Sequence, residues 1–247
     1  MVEKDNNLKA SVEKVLEPKS FHIDLPYNSE DLINSLKELS SSNNWDPAVL
    51  CTLLLQIGKP LKTLSSAMGK LGEKLQERIA QIRAVYALFK DESLLSIQDI
   101  CLLEKTKGIS HCNKKDNKKL GFKDAPYKDY LSLSCTLNMI VRMFNFQKHI
   151  YSNFVNIKNK GPKDNIKAAF DVTLAKHFNF VKRGLFSTAV SFVTNDRKEL
   201  FKAVFGNDTI DEKSEASLKE IADSLEIIYQ KIVDFTSSNS LIVTFSD

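Results

Sequence analysis

The stretch Leu71-Gly72-Glu73-Lys74-Leu75-Gln76-Glu77-Arg78-Ile79-Ala80-Gln81-Ile82-Arg83-Ala84-Val85-Tyr86-Ala87-Leu88-Phe89 decides the fold class. Leu71, Leu75, Ile79, Ile82, Tyr86 and Phe89 recur at three- and four-residue spacing and mark one face of an amphipathic helix. The same spacing continues outward in both directions, and no two segments read as a strand pair.

Toward the N-terminus, Asp46-Pro47 opens a helix expected to reach about Met68, with proline at the first helical position. Before it, Ser29 followed by Glu30 and Asp31 reads as an N-cap for a helix to about Leu39. Toward the C-terminus, a helix from Leu94 to Lys107 stops at Gly108. Helices resume over about Lys128 to Ile157, Asn165 to Val193, Asp196 to Val204 and Glu212 to Phe235, before an apolar tail, Leu241-Ile242-Val243. The lysine- and asparagine-rich segment between Ile109 and Pro126 reads as a mobile polar loop. Eight glycines and six prolines punctuate the chain, and no internal repeat is present. The expectation is an all-α protein, a two-layer sandwich of about eight helices in one domain of 247 residues, with residues 1–28 as an extension.

Composition narrows the function. A chain that is 43% hydrophobic can bury one sizeable core. A net charge of +4 permits attraction to phosphates or an anionic membrane face, but is no nucleic-acid signature. Cys51, Cys101, Cys112 and Cys135 form no CxxC pair, which points to reduced, buried thiols. No apolar run reaches the roughly 18 to 20 residues of a membrane span, and Met1-Val2-Glu3-Lys4-Asp5-Asn6 has no signal-peptide core, so a cytoplasmic protein is expected. Met1-Val2 lacks the glycine of a myristoylation site, so membrane contact would come from the folded surface.

The residues of an enzyme do not assemble. His22, His111, His149 and His177 are scattered, and HExxH, GxSxG and a phosphate-cradling glycine loop are absent. The adjacent His111 and Cys112 have no further partners to make a metal site. A non-enzymatic protein without metal or cofactor is expected. What remains is a set of polar residues beside apolar stripes: Lys74, Arg78 and Gln81 beside Leu71, Leu75 and Ile79, and Ser134, Asn138, Arg142 and Asn145 beside Leu137, Met139 and Phe144. Periodicity fits two solvated faces as well as it fits a polar mouth over an apolar interior. His177-Phe178-Asn179-Phe180-Val181-Lys182-Arg183 sets aromatics next to cations, as in a membrane-docking segment or a helix packed on a core.

Three segments, in order, resemble the glycolipid transfer protein family. They are Gln81-Ile82-Arg83-Ala84-Val85-Tyr86, then Ile97 through Leu102-Leu103-Glu104-Lys105 to Gly108, and Ala169 to Phe205 with Leu185-Phe186-Ser187-Thr188-Ala189-Val190 and Leu200-Phe201-Lys202-Ala203-Val204-Phe205. The resemblance covers roughly residues 60 to 206. It implies a two-layer helical sandwich whose tunnel takes up sphingoid and acyl chains beneath a polar site, and non-enzymatic transfer of lipid between membranes. It puts the family's headgroup-reading aspartate at Lys74, its asparagine (a lysine in ceramide-1-phosphate carriers) at Arg78 and its lysine at Gln81. The sugar-stacking tryptophan, an arginine in phosphate-selective members, falls on Asn138, and the second arginine of those members on Arg142. The signature histidine falls on Phe178, with His177 beside it.

These departures imply a changed cargo. Lysine and arginine only donate hydrogen bonds, so a phosphate suits the site better than the sugar and amide an aspartate would accept from. The headgroup set implied is Lys74, Arg78, Asn138, Arg142 and His177; the tunnel set is Met68, Leu71, Leu75, Ile79, Leu137, Phe144 and Phe186; the membrane-contact set is Phe178, Phe180, Lys182 and Arg183. The expected partners are a sphingolipid or phosphosphingolipid and, transiently, a membrane surface, with no nucleic acid and a monomeric chain. Two other readings stay open: glycolipid transfer with a remodelled site, and a helical interaction module that has lost its lipid.

Overall fold

The computed structural model describes residues 27–89, 96–112, 126 and 130–241. Among them the chain is all-helical: α1 (Ser29–Ser41), α2 (Pro47–Leu64), α3 (Ser66–Leu88), α4 (Ile97–Thr106), α5 (Leu133–Asn156), α6 (Pro162–Val172), a 3-10 turn (Ala175–His177), α7 (Phe180–Ser191), α8 (Arg197–Phe205) and α9 (Glu212–Ser238).

Side-chain caps set most of these boundaries. The Asp46 carboxylate accepts from the N–H groups of Ala48 and Val49 at 2.6 and 3.2 Å, which starts α2 with Pro47 in its first turn. Asn28, rather than Ser29, caps α1 by accepting from the Glu30 N–H at 2.9 Å. The helix expected to run from Asp46 to Met68 instead stops at Leu64. Ser65 is extended, and its hydroxyl accepts from the Met68 N–H at 3.1 Å, so α3 begins at Ser66 rather than Leu71. The single helix expected over Asn165 to Val193 is likewise two. It starts at Pro162, ends at Val172, and resumes at Phe180, where Asn179 accepts from the Lys182 N–H at 2.9 Å. The helix expected from Lys128 begins at Leu133, with Ser132 as its cap. The expected starts at Leu94 and Lys128 lie outside the described residues.

The α2–α3 and α5–α9 pairs are the most extensive contacts and form the centres of two layers. The first helix, α1, spans from α2 to α9, α3 crosses to α5, α8 packs on α2 and α6, and α7 packs on α6 and α3. Buried side chains from Leu32 to Leu241 join one continuous core, and each large apolar group enclosed in it contributes about 1.5–3 kcal/mol. The polar loop expected from Ile109 starts inside this core, since Ile109, Ser110 and Cys112 are buried; residues 113–125 lie outside the described set. Tyr27, expected in an N-terminal extension, donates its hydroxyl to the Val204 carbonyl at 2.5 Å, while the Asn28 N–H donates to Gln56 Oε1 at 3.0 Å.

The α2–α3 crossing depends on two glycines. A Cβ on Gly72 would stand 2.6 Å from the Gly58 carbonyl oxygen, so backbone meets backbone with no room for a methyl group. Gly72→Ala must part the helices, and we expect it to cost about 1–3 kcal/mol of overpacking. That lowers the melting temperature by several degrees, read by thermal circular dichroism; an unchanged transition would show that the pair is free to slide.

Candidate functional site

The cations of α3 converge with α5. Arg78 is largely enclosed, its side chain 14% exposed. One guanidinium nitrogen donates to Gln81 Oε1 at 2.6 Å and lies 2.9 Å from the Met139 sulfur, while the other pairs with Glu77 at 3.3 Å. Burial lowers the Arg78 pKa against the raising effect of Glu77, and the guanidinium remains charged because its ordinary value is so high. Lys74 is exposed and pairs with the other Glu77 oxygen at 2.6 Å. One carboxylate therefore holds both cations, an i,i+3 pairing with Lys74 that was readable in the sequence.

Met139 sits between Asn138 and Arg142 on α5, so Arg78 touches the helix that carries both. Arg142 is half-buried, one turn beyond Asn138. Asn138, expected to read a headgroup, is instead tied to the protein. Its buried amide nitrogen donates to the Ser134 carbonyl at 2.8 Å and to the Leu241 carbonyl at 2.9 Å. The Leu241 N–H in turn donates to the Thr236 carbonyl at 2.7 Å, after a reversal at Ser240 with φ 54°. The chain after α9 thus folds back over the position where the resemblance expects a stacking or ionic side chain. His177 is half-buried at the end of the 3-10 turn, on a different element from the cations of α3 and α5.

The start of α5 is held by a residue that sequence reasoning quoted without a role. Glu104 on α4 is fully buried. One of its oxygens accepts from the Tyr130 hydroxyl at 2.5 Å and the Leu133 N–H at 2.7 Å, the other from the Ser134 N–H and hydroxyl at 3.2 and 3.3 Å. An anion is thereby placed on the first-turn N–H groups of the helix that carries Asn138 and Arg142. Burial pushes the carboxyl up to about 7, although all four hydrogen bonds pull it down.

The residues expected to line a tunnel are packed. Met68, Leu75, Leu137 and Phe144 are buried in the core, and Leu71 is half-buried against it. Ile79 and Phe186 are buried in the same core and also border cavities, Ile79 one of about 510 Å³ between α2 and α3 and Phe186 one of about 380 Å³ between α6 and α7. Lys74, Arg78, Asn138, Arg142 and His177 border neither.

The expected membrane segment divides. Phe178 is half-buried and packs edge-on against Phe170, whose ring stacks on Phe186 at 3.8 Å, so it belongs with the core rather than the surface. Phe180 is 89% exposed, and Val181, Leu185 and Phe192 join it as exposed apolar groups. Lys182 and Arg183 are exposed on the same helix, where the Arg183 Nε–H donates to the Phe178 carbonyl at 2.8 Å. Sequence reading missed Val181, Leu185 and Phe192 because it ran one continuous helix through this region.

All four cysteines are buried thiols outside any disulfide. Among the described residues no group of three or more His, Cys, Asp or Glu is placed to hold a metal, and no helix is long and apolar enough to cross a membrane.

The family model described as glycolipid transfer protein matches residues 49–206. No curated protein sequence matches the chain. Among solved structures, it is similar to human ceramide-1-phosphate transfer protein in complex with ceramide-1-phosphate, at a TM-score of 0.68 and 13% identity over 87% of this chain and 98% of that one. A mutant of Arabidopsis accelerated-cell-death 11, complexed with ceramide-1-phosphate, aligns at 0.65 and 11% identity, over 88% and 98%. A fungal glycolipid transfer protein aligns at 0.59 and 18%, over 89% and 95%.

Proposed function

Because the chain belongs to the glycolipid transfer protein family, whose members carry lipids and are not enzymes, we propose that it moves a phosphate-bearing sphingolipid between membranes, with Arg78 as the principal headgroup contact. The observation that carries this reading is the enclosed Arg78 guanidinium, seated on Met139 of the helix that also bears Arg142. A phosphate entering there takes bidentate hydrogen bonds from Arg78 and added charge from Lys74 and Arg142. It must first displace Glu77, which already engages Lys74 and Arg78. The hydrocarbon chains enter among Met68, Leu75, Leu137 and Phe144 as the two layers part. The protein works as a monomer on the cytoplasmic side, docking transiently through the exposed apolar face of α7.

The test is transfer of a fluorescent phosphosphingolipid between vesicles, with unlabelled competitors. We expect competition by ceramide-1-phosphate and none by a neutral glycosylceramide. Competition by the glycosylceramide alone would select glycolipid transfer with a remodelled site. A second reading, an interaction module without lipid, is favoured by the packed interior and by the tie between Asn138 and Leu241. Native mass spectrometry of the purified chain separates the two, since a carrier retains co-purified lipid.

A further inference from the structure

We propose that the cavity between α6 and α7 is a second phosphate-reading site, one that grips the headgroup of an anionic glycerophospholipid while that lipid remains in the membrane. Two facing rows of side chains build it. Lys163, Lys167 and Asp171 follow one another at i,i+4 spacing on α6, and Arg183, Ser187 and Ser191 do so on α7; all six border the cavity. The Lys163 ammonium donates to the Ser191 carbonyl at 3.3 Å, which fixes the antiparallel register. Lys167 then stands across from Ser187, and Asp171 across from Arg183.

The register separates the charges. At one end Asp171 faces Arg183. The other carboxylate of the cavity, Asp164, accepts from the Asn195 amide at 2.9 Å. The Lys163–Lys167 end therefore sets two cations beside one carboxylate that the Asn195 amide already engages, with the Ser187 hydroxyl opposite, a donor set suited to a phosphodiester. The floor is apolar, formed by the stacked rings of Phe170 and Phe186. A volume of about 380 Å³ lies within the range of roughly 300–1,000 Å³ found for small-ligand sites.

The position of the mouth selects a membrane lipid over a free phosphate ester. Phe180, Ser187 and Ser191 lie at i, i+7 and i+11 on α7 and share one face, so the serine row adjoins the exposed Phe180. When Phe180, Val181, Leu185 and Phe192 enter the interface, the cavity opens at the depth of the lipid phosphates. The apolar floor takes the glycerol and first methylenes of the lipid that the lysines hold. The site would tell an anionic membrane from a neutral one, separately from the choice of cargo.

This inference rests on the membrane-docking part of the function proposed above and not on the cargo. The test is co-sedimentation with phosphatidylcholine vesicles, with and without phosphatidylglycerol. We expect phosphatidylglycerol to tighten binding of the natural chain. The double variant Lys163→Ala, Lys167→Ala should lose about tenfold or more of that gain, from two lysines near the surface, with binding to neutral vesicles unchanged. Lys167→Glu alone should abolish the gain without disturbing the Lys163–Ser191 contact. Lys213→Ala with Lys219→Ala removes the same charge from α9 and should leave the gain intact. An equal loss in that control, no loss in the cavity variants, or binding of soluble glycerophosphate as tight as binding of the vesicles would overturn the proposal. A chain that binds phosphatidylglycerol vesicles normally but transfers nothing would count against the cargo reading alone.

Discussion

Glu104→Ala is expected to cost about 3–5 kcal/mol of folding stability at pH 5, the loss expected when several buried hydrogen-bonding groups lose a shared partner. The substitution removes the acceptor of the Leu133 and Ser134 N–H groups and of the Ser134 hydroxyl, and one bond of the Tyr130 hydroxyl. Each buried donor left without an acceptor costs roughly 1–3 kcal/mol, and Tyr130, Leu133 and Ser134 are all fully buried. The carboxylate also joins α4 to the first turn of α5, so its loss frees the end of the helix that carries Arg142. Urea unfolding would measure it, and a loss below about 1 kcal/mol would show that the network is incidental.

The same residue makes stability depend on pH. Burial raises the folded-state value from 4.5 to about 7, so between these values the folded chain binds more protons than the unfolded one. Stability is then fully present below pH 4.5 and falls as pH rises toward 7, by about 3 kcal/mol for a shift of this size. Glu104→Gln removes the titrating group and should flatten this dependence while keeping most of the packing. The penalty of Glu104→Ala should correspondingly be smaller at pH 8 than at pH 5. A natural chain equally stable at pH 5 and pH 8 would contradict the linkage.

The helices were legible because each buries one stripe, and a stripe repeats along the sequence. Their interruptions were not, because the apolar spacing runs straight through them. Leu61, Leu64, Met68 and Leu71 keep helical spacing across Ser65, and Phe170, Leu174 and Phe178 keep it across the 3-10 turn. In both places the local signal was a capping side chain, Ser65 or Asn179, which periodicity does not weigh. The candidate site divides along the same line. Lys74, Arg78 and Gln81 were readable as a row on one helix. The contact of Arg78 with Met139 spans 61 positions, and the tie of Asn138 to Leu241 spans 103. No local pattern encodes such pairings, so the bond from the Asn138 amide nitrogen to the chain end is not legible in the sequence. Glu104 carried a resemblance to a family element, yet its partner Tyr130 lies 26 positions away, beyond the lysine- and asparagine-rich segment.

The second large effect concerns the cargo. Arg78→Leu should reduce transfer of a phosphosphingolipid by about 30-fold or more, since truncating one partner of an enclosed, hydrogen-bonded charge pair costs roughly 2–5 kcal/mol. Arg78→Lys should lose about tenfold, because an ammonium cannot hold two phosphate oxygens at once. Leucine also removes the bonds to Glu77 and Gln81, so the melting temperature of each variant must be read beside the transfer rate. Glu77→Gln separates the two effects. It weakens the pairing that holds Lys74 and Arg78 and leaves the cations in place. If Glu77 occupies the seat of the phosphate, this variant should bind the lipid several-fold more tightly, at a modest loss of stability. A polar face without a cargo predicts the reverse ordering, with Glu77→Gln only destabilising and Arg78→Leu silent in every lipid assay. Enhanced transfer by Glu77→Gln together with failed transfer by Arg78→Leu is the one pair of outcomes that a purely structural cluster of charges does not produce.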